Sequence, residues 1–133
     1  MIKLVASDID ETLVDGFKNV PLRNIKAIKK AQEMGVIVML ATGRGTYELF
    51  DIPNQAGVIA DDRYAICCNG AVIMNIKTGE IVDSLNLKYE YAKKVLDFSY
   101  ANKHTCYIYT LENKYALNPD SDSYAENDLI ILK

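Results

Sequence analysis

The sequence predicts an α/β fold: a parallel sheet with helical connections, followed by a smaller α+β segment. Three observations predict it. Short apolar runs, rich in β-branched residues, recur at 2–7 (IKLVAS), 36–43 (VIVMLATG) and 64–70 (YAICCNG). A stretch of helical periodicity separates the first two. Near residues 83–86 the style changes to a helix and an antiparallel hairpin, which sets expected domains at 1–84 and 85–133.

Each element has a local reason. IKLVAS is a short apolar run ending in polar residues, the pattern of a buried parallel strand. DGFKN (15–19) is turn-like. Pro21 opens a helix in which Leu22, Ile25, Ile28, Ala31 and Met34 recur at helical spacing, and Gly35 closes it. VIVMLATG is a second buried strand, and RGTYELFDI holds a short helix before Pro53. YAICCNG is a third strand ending in a turn. AVIMN and IVDSL form hairpin arms around Lys77-Thr78-Gly79. Tyr91, Val95, Phe98 and Ala101 keep helical register through 89–103. HTCYIYTLENKYAL reads as another hairpin, NPDSDSYAEND as a polar acidic loop, and DLIILK as a final apolar strand.

Composition excludes several classes. The 133 residues are half hydrophobic and a quarter charged, ordinary for a globular protein. A net charge of −3 gives no general attraction to nucleic acid or anionic membrane. No apolar run approaches the roughly 20 residues of a membrane span, and MIKLVASDID does not resemble a signal peptide. Three cysteines, two of them adjacent at 67 and 68, suit neither a disulfide framework nor a CxxC metal site. A reduced, cytoplasmic protein is expected. The single histidine, His104, excludes a His-rich metal centre.

Sites in parallel α/β sheets form at the carboxyl ends of the strands. The first strand ends in SDIDETLV, with Asp8 and Asp10 flanking Ile9. In extended chain, residues two apart point the same way, so both carboxylates face one spot. Two like charges side by side call for a shared cation, and Mg²⁺ prefers such oxygen ligands. The alternative is a pair of surface aspartates, with Asp10 or Asp15 capping a turn. The second strand ends in Ala41-Thr42-Gly43-Arg44, where a hydroxyl and backbone N–H groups can hold an anion. A plain strand-to-helix turn is the alternative. Gly43-Arg44-Gly45 lacks the third glycine of a dinucleotide fingerprint. The third strand ends in Asn69-Gly70-Ala71, which on its own is a hairpin turn.

As an ordered set at three successive strand ends, DIDETL, LATGR and CCNGA resemble the first motif, second motif and pre-cap turn of the haloacid dehalogenase (HAD) superfamily, in its Cof-type branch. The resemblance runs to about Asn118-Pro119 and implies a Rossmann-like core at 1–84 followed by part of a cap at 85–133. It implies a Mg²⁺-dependent phosphatase of small phosphorylated metabolites. Asp8 resembles the nucleophile that becomes an aspartyl-phosphate. Asp10 resembles the acid that protonates the leaving alcohol and then the base that activates water. Mg²⁺ would sit on the Asp8 carboxylate and the Asp10 backbone carbonyl. Thr42 and Gly43 would bind phosphate, with backbone N–H groups near Asn69 and Gly70.

Two departures from that pattern stand out. Glu11 replaces the usual glycine and is expected to point to solvent, on the assumption that the chain stays extended. The family's later lysine and later acidic motif have no counterpart before Lys133. Asp120, Asp122, Glu126 and Asp128 are expected to form a solvated acidic loop rather than a calcium site. The chain therefore resembles about half of a complete phosphatase, with weak or absent turnover expected. In the family the strand bearing the first motif is central. Without later strands Ile2–Ser7 would be an open edge, inviting self-association or a covering partner. A vestigial phosphate- or metal-binding or oligomerising domain is the main alternative. A response-regulator receiver is another, although it requires its phosphorylated Asp after the third strand, where this chain has Asn69-Gly70.

Overall fold

The computed structural model describes residues 2–119 and 129–132. The chain divides into two compact units, Met1–Leu85 and Asn86–Lys133. The acidic positions 120, 122, 126 and 128 lie outside the described residues.

The first unit is built on a five-stranded sheet in the order β1-β2-β3-β4-β5. The strands are β1 (Leu4–Ser7), β2 (Ile37–Ala41), β3 (Tyr64–Cys67), β4 (Val72–Asn75) and β5 (Ile81–Ser84). β1, β2 and β3 are parallel, whereas β3–β4 and β4–β5 are antiparallel. Helix α1 (Leu22–Glu33) makes the crossover from β1 to β2. A 3-10 turn (Thr46–Leu49) and the short helix α2 (Ile52–Ala56) lie between β2 and β3. The 3-10 turn is the short helix expected before Pro53, and Pro53 itself stands in the first turn of α2, where its missing N–H costs nothing. A receiver domain has the all-parallel order 2-1-3-4-5; with β1 at the edge and two antiparallel strands, this sheet is of another kind.

Register explains where the core sits. Leu40 pairs with Ala65, and Ala65 with Met74, so alternate residues of β2, β3 and β4 share one face. Val38, Leu40, Ala65, Cys67, Val72 and Met74 are all buried there, together with Ile28 of α1 and Ile52 and Ala56 of α2. The intervening Met39, Ile66 and Ile73 are only partly buried. The expectation of fully buried strands therefore holds for one face of β2 and β3. It fails for β1, whose Leu4 and Val5 are 50% and 42% exposed, because among the described residues β1 has β2 as its one neighbour.

Beyond β1 the chain turns sharply. The carbonyl of Ile9 accepts from the amides of Leu13 (2.9 Å) and Val14 (3.0 Å). That turn drives Ile9, Leu13 and Val14 into the core. Asp15 then organises the next turn, its Oδ1 accepting from the amides of Phe17 and Asn19.

The second unit comprises α3 (Tyr89–Asn102) and a three-stranded sheet, β6 (Cys106–Tyr109), β7 (Lys114–Leu117) and β8 (Leu129–Leu132). β6 and β7 form the expected hairpin, and β8 adds to β7 in parallel. Asn118, just after β7, donates from Nδ2 to the carbonyls of Ser99 and His104, tying the strand to the end of α3. The Lys114 ammonium lies over the rings of Tyr107 and Tyr109.

Candidate active site

Three strand ends meet at one pocket. It is lined by Asp8 after β1, Ala41, Thr42 and Gly43 at the end of β2, and Ile66, Asn69 and Gly70 at the end of β3, and has a volume of about 530 Å³. Five of the six residues singled out in the sequence therefore surround one space. Asp10 does not line it.

The loops are held to each other by backbone bonds. The Thr42 amide donates to the Ile66 carbonyl (2.9 Å), and the Cys68 amide donates to the Arg44 carbonyl (2.8 Å). The Asn69 amide donates to the Thr42 carbonyl (3.2 Å). The Asn69 N–H is thus committed within the protein. Thr42 is buried, and its Oγ1 accepts from the Arg44 amide (3.2 Å). A hydroxyl that accepts in this way keeps its own proton for another acceptor. Cys68, Asn69 and Gly70 have φ of 52°, 55° and 95°, three successive left-handed residues that fold the end of β3 into a tight cup. Glycine tolerates this conformation freely and Asn better than most residues. Gly43 serves a different need: a Cβ there would meet the Asn69 side-chain oxygen at 3.0 Å, so a larger residue would push on the Asn69 side chain.

Asp10 is held elsewhere. Arg44 Nε donates to its Oδ2 (2.8 Å) and Nη2 to its Oδ1 (2.6 Å), a bidentate pair. The Arg44 side chain is only 11% exposed, while that of Asp10 is 55% exposed. Nη1 of Arg44 also donates to the Glu48 carbonyl (3.0 Å), and the Glu48 carboxylate accepts from the Gly45 amide (2.7 Å). The Arg44 hydrogen bonds hold the Asp10 carboxyl below its usual range, against a smaller opposing effect of burial and with help from Arg44 and Lys18 charge. The same pairing raises the Arg44 guanidinium further.

The expected convergence of both carboxylates assumed an extended chain. Instead residues 10–13 form a turn, and Glu11 has φ 56°. Alternation of side chains does not survive such a turn, so Asp10 swings onto Arg44. The same turn explains why a glycine at position 11 would suit this backbone. Glu11 is exposed, as expected, but through the turn rather than through strand alternation. Arg44 is the site neighbour to which sequence reasoning gave no role. Its signal was present in LATGR, one residue beyond the phosphate-binding positions, but no spacing rule links it to Asp10, 34 positions earlier.

The adjacent Cys67 and Cys68 are poorly suited as nucleophiles. Burial pushes the Cys67 thiol up to about 11, and burial also raises Cys68. Cysteine attacks as the thiolate, which such shifts suppress at neutral pH. Asp8 is the one carboxylate among the residues lining the pocket.

Of the two aspartates expected to hold a metal, Asp8 lines the pocket, whereas the Asp10 carboxylate is engaged by Arg44. Among the described residues no three His, Cys, Asp or Glu side chains cluster as a metal shell. A partial set of hard oxygens still fits Mg²⁺, which commonly takes one or two carboxylates and completes its shell with water and substrate phosphate. Among the described residues no helix is long and apolar enough to cross a membrane.

The likenesses to known proteins agree with this geometry. Residues 5–130 match the family described as haloacid dehalogenase-like hydrolase. YxeH of Bacillus subtilis (strain 168), whose own assignment as a phosphatase is provisional, is 30% identical over 124 residues, covering 93% of this chain and 46% of YxeH. Phosphatase YwpJ of the same organism is 36% identical over 72 residues, 54% of this chain and 24% of YwpJ. Among solved structures, a haloacid dehalogenase-like hydrolase from B. subtilis superposes with a TM-score of 0.78 at 25% identity, covering 92% of this chain and 41% of that one. This chain thus spans about half the length, or less, of the relatives it matches. With the three strand-end motifs gathered at one pocket and the family match running almost end to end, the chain belongs to the haloacid dehalogenase-like hydrolases, in the Cof-type phosphatase branch.

Proposed function

We propose that this chain carries the phosphoryl-accepting site of a phosphate monoester hydrolase acting on small phosphorylated metabolites. The observation that carries the reading is the single pocket shared by Asp8, Thr42, Gly43, Asn69 and Gly70 at three strand ends. An Asp8 oxygen attacks phosphorus, the bond to the leaving alcohol breaks, and an aspartyl-phosphate forms. Water then attacks that phosphorus and frees Asp8 and inorganic phosphate. The Thr42 hydroxyl donates to a phosphoryl oxygen with the proton its own acceptor role leaves over. Asp10 moves the protons. Its pairing with Arg44 favours the ionised form, which suits the second step, where a base takes a proton from water. The first step asks Asp10 to carry a proton, and the Arg44 pairing opposes that. The Asp8 carboxylate and Asp10 carbonyl would hold Mg²⁺, which when bound neutralises charge on the transferring phosphoryl group.

Among the described residues no lysine lines the pocket. Each missing electrostatic group of this kind typically lowers the rate by roughly 10²–10³, so the isolated chain should turn over slowly. The free Cys67, Cys68 and Cys106 support a reducing, cytoplasmic setting. The test is hydrolysis of an aryl phosphate with Mg²⁺, with mass spectrometry of the quenched protein. Slow hydrolysis and a phosphoryl adduct on Asp8, both lost in Asp8→Asn, are expected. Hydrolysis that survives Asp8→Asn would overturn the assignment. A chain with no hydrolysis and no adduct belongs to the non-catalytic alternative.

A further inference from the structure

We propose that Arg44 is a positioning residue for the second chemical step, a fixed fork that sets the Asp10 carboxylate beside the pocket as the base for water. The proposal rests on the reading of Asp8 as phosphoryl acceptor and goes beyond it, since Arg44 is not among the residues lining the pocket and acts through Asp10.

Arg44 is the anchored partner of the pair. Its amide donates to Thr42 Oγ1 (3.2 Å), and its carbonyl accepts from the Cys68 amide (2.8 Å), so its backbone is tied to both of the loops that follow β2 and β3. Its Nη1 donates to the Glu48 carbonyl (3.0 Å), and the Glu48 carboxylate is itself held by the Gly45 amide (2.7 Å). The guanidinium end is thereby fixed as well as the backbone, and the side chain is largely buried. Asp10 has no comparable hold. It stands in a turn, its side chain is more than half exposed, and among the described residues Arg44 is the one hydrogen-bond donor to its carboxylate.

A guanidinium suits this task. Two parallel N–H bonds to two oxygens fix the plane of a carboxylate as well as its place, whereas an ammonium acts as a point charge. Each carboxylate oxygen has a second lone pair, so Asp10 can accept from a water while Arg44 holds it. The Arg44 amide donates to the hydroxyl assigned to phosphate, and the Arg44 side chain to the carboxylate assigned to water. One residue thus ties the phosphate site to the base. In the second step the water oxygen bonds to phosphorus as the bond from phosphorus to the Asp8 oxygen breaks. The water proton passes to Asp10, Asp8 leaves as a carboxylate, and Asp10 then returns the proton to solvent. A base already in place removes the orientation cost from that step.

The test isolates the second step. The full chain is phosphorylated with acetyl phosphate and Mg²⁺, because acetate departs as a stable anion and needs no proton from Asp10. Excess donor is removed, and decay of the adduct on Asp8 is followed by mass spectrometry. Arg44→Ala should form the adduct but lose it about tenfold more slowly, or slower still. Arg44→Lys, which keeps the charge and the stem without the fork, should also slow the decay, and it decides if Arg44→Ala does not fold. Asp10→Asn should slow the decay too, and adding Arg44→Ala to it should slow it no further. In metal-free protein the Arg44 Nε–H resonance should be slow to exchange with solvent, and should lose that protection in Asp10→Asn. Adduct decay indifferent to folded Arg44 variants overturns the proposal while leaving Asp8 as acceptor. Additive slowing in the double variant overturns it as well, since Arg44 would then act without Asp10, as does an Arg44 Nε–H unaffected by Asp10→Asn. No adduct on any variant overturns the reading of Asp8 and this proposal together.

Discussion

The two units of this chain differ in how much they bury. In Met1–Leu85, the side chains of Ile9, Leu40, Val58 and Cys67 are almost completely enclosed, within a cluster that draws on the sheet, both helices and the loop after β1. In Asn86–Lys133, the apolar side chains of α3 stay largely in solvent: Tyr91, Val95 and Phe98, on the stripe whose periodicity identified the helix, are all exposed. Ala116 and Leu117 of β7 are its buried apolar residues among those described. Amphipathic spacing thus marks a helix equally well in both units, but it does not reveal whether the apolar stripe has found a partner. The first unit has the core that a rigid site requires. Among the described residues, the second encloses far fewer side chains.

The largest effect should come from breaking the stronger side of that contrast. Leu40→Ala leaves a cavity between β2, β3 and the helices, and should cost roughly 2–5 kcal/mol in a denaturant melt of the first unit. The corresponding truncation in the second unit, Phe98→Ala, should cost less than about 1 kcal/mol, because the ring is 61% exposed. Equal losses at the two positions would show that α3 is buried in solution.

A smaller effect separates the core from the site's ion pair as the source of stability in the first unit. The Asp10 carboxyl is held below its unfolded value, so its contribution is present above about pH 3.9 and disappears as pH falls through the folded value. Asp10 is more than half exposed, which limits that contribution to about 1 kcal/mol or less. In urea melts between pH 7 and pH 2.5, Arg44→Ala should narrow the stability difference by that amount. An unchanged acid dependence would mean that Arg44 and Asp10 are not paired in solution.

The smallest effect concerns backbone strain. Glu11 holds φ 56° in a turn that glycine would occupy freely. Glu11→Gly should therefore stabilise the first unit by about 0.5–1 kcal/mol, with relief of the left-handed conformation outweighing added freedom in the unfolded chain. Loss of stability would place the side chain, not the backbone, in control of that turn.

Much of this was legible in the residues themselves. β2, β3 and α1 follow from apolar runs and 3.6-residue spacing, and the ends of β1, β2 and β3 identified Asp8, Thr42, Gly43, Asn69 and Gly70, which share a pocket. What could not be read was conformational. Nothing in DIDETL states that the chain leaves extended geometry at Asp10, and the pairing with Arg44 follows from that departure. Nor does NGA disclose that the Asn69 amide turns inward to Thr42. Periodicity reports which side of an element is apolar. It carries no information on where a loop aims an N–H or a carboxylate across 30 or more positions.

Ile9 has a consequence of its own. It is fully enclosed, it stands between the two aspartates, and its carbonyl fixes the turn that separates them. The residue whose backbone carbonyl anchors the turn after Asp8 is thus also one of the most deeply seated side chains of the core. Chemistry and folding share a single joint at this point. A slight misfit at Ile9, too small to lower the melting temperature much, would rotate both carboxylates together. In this protein, sequence drift in the core should register as altered reactivity before it registers as instability.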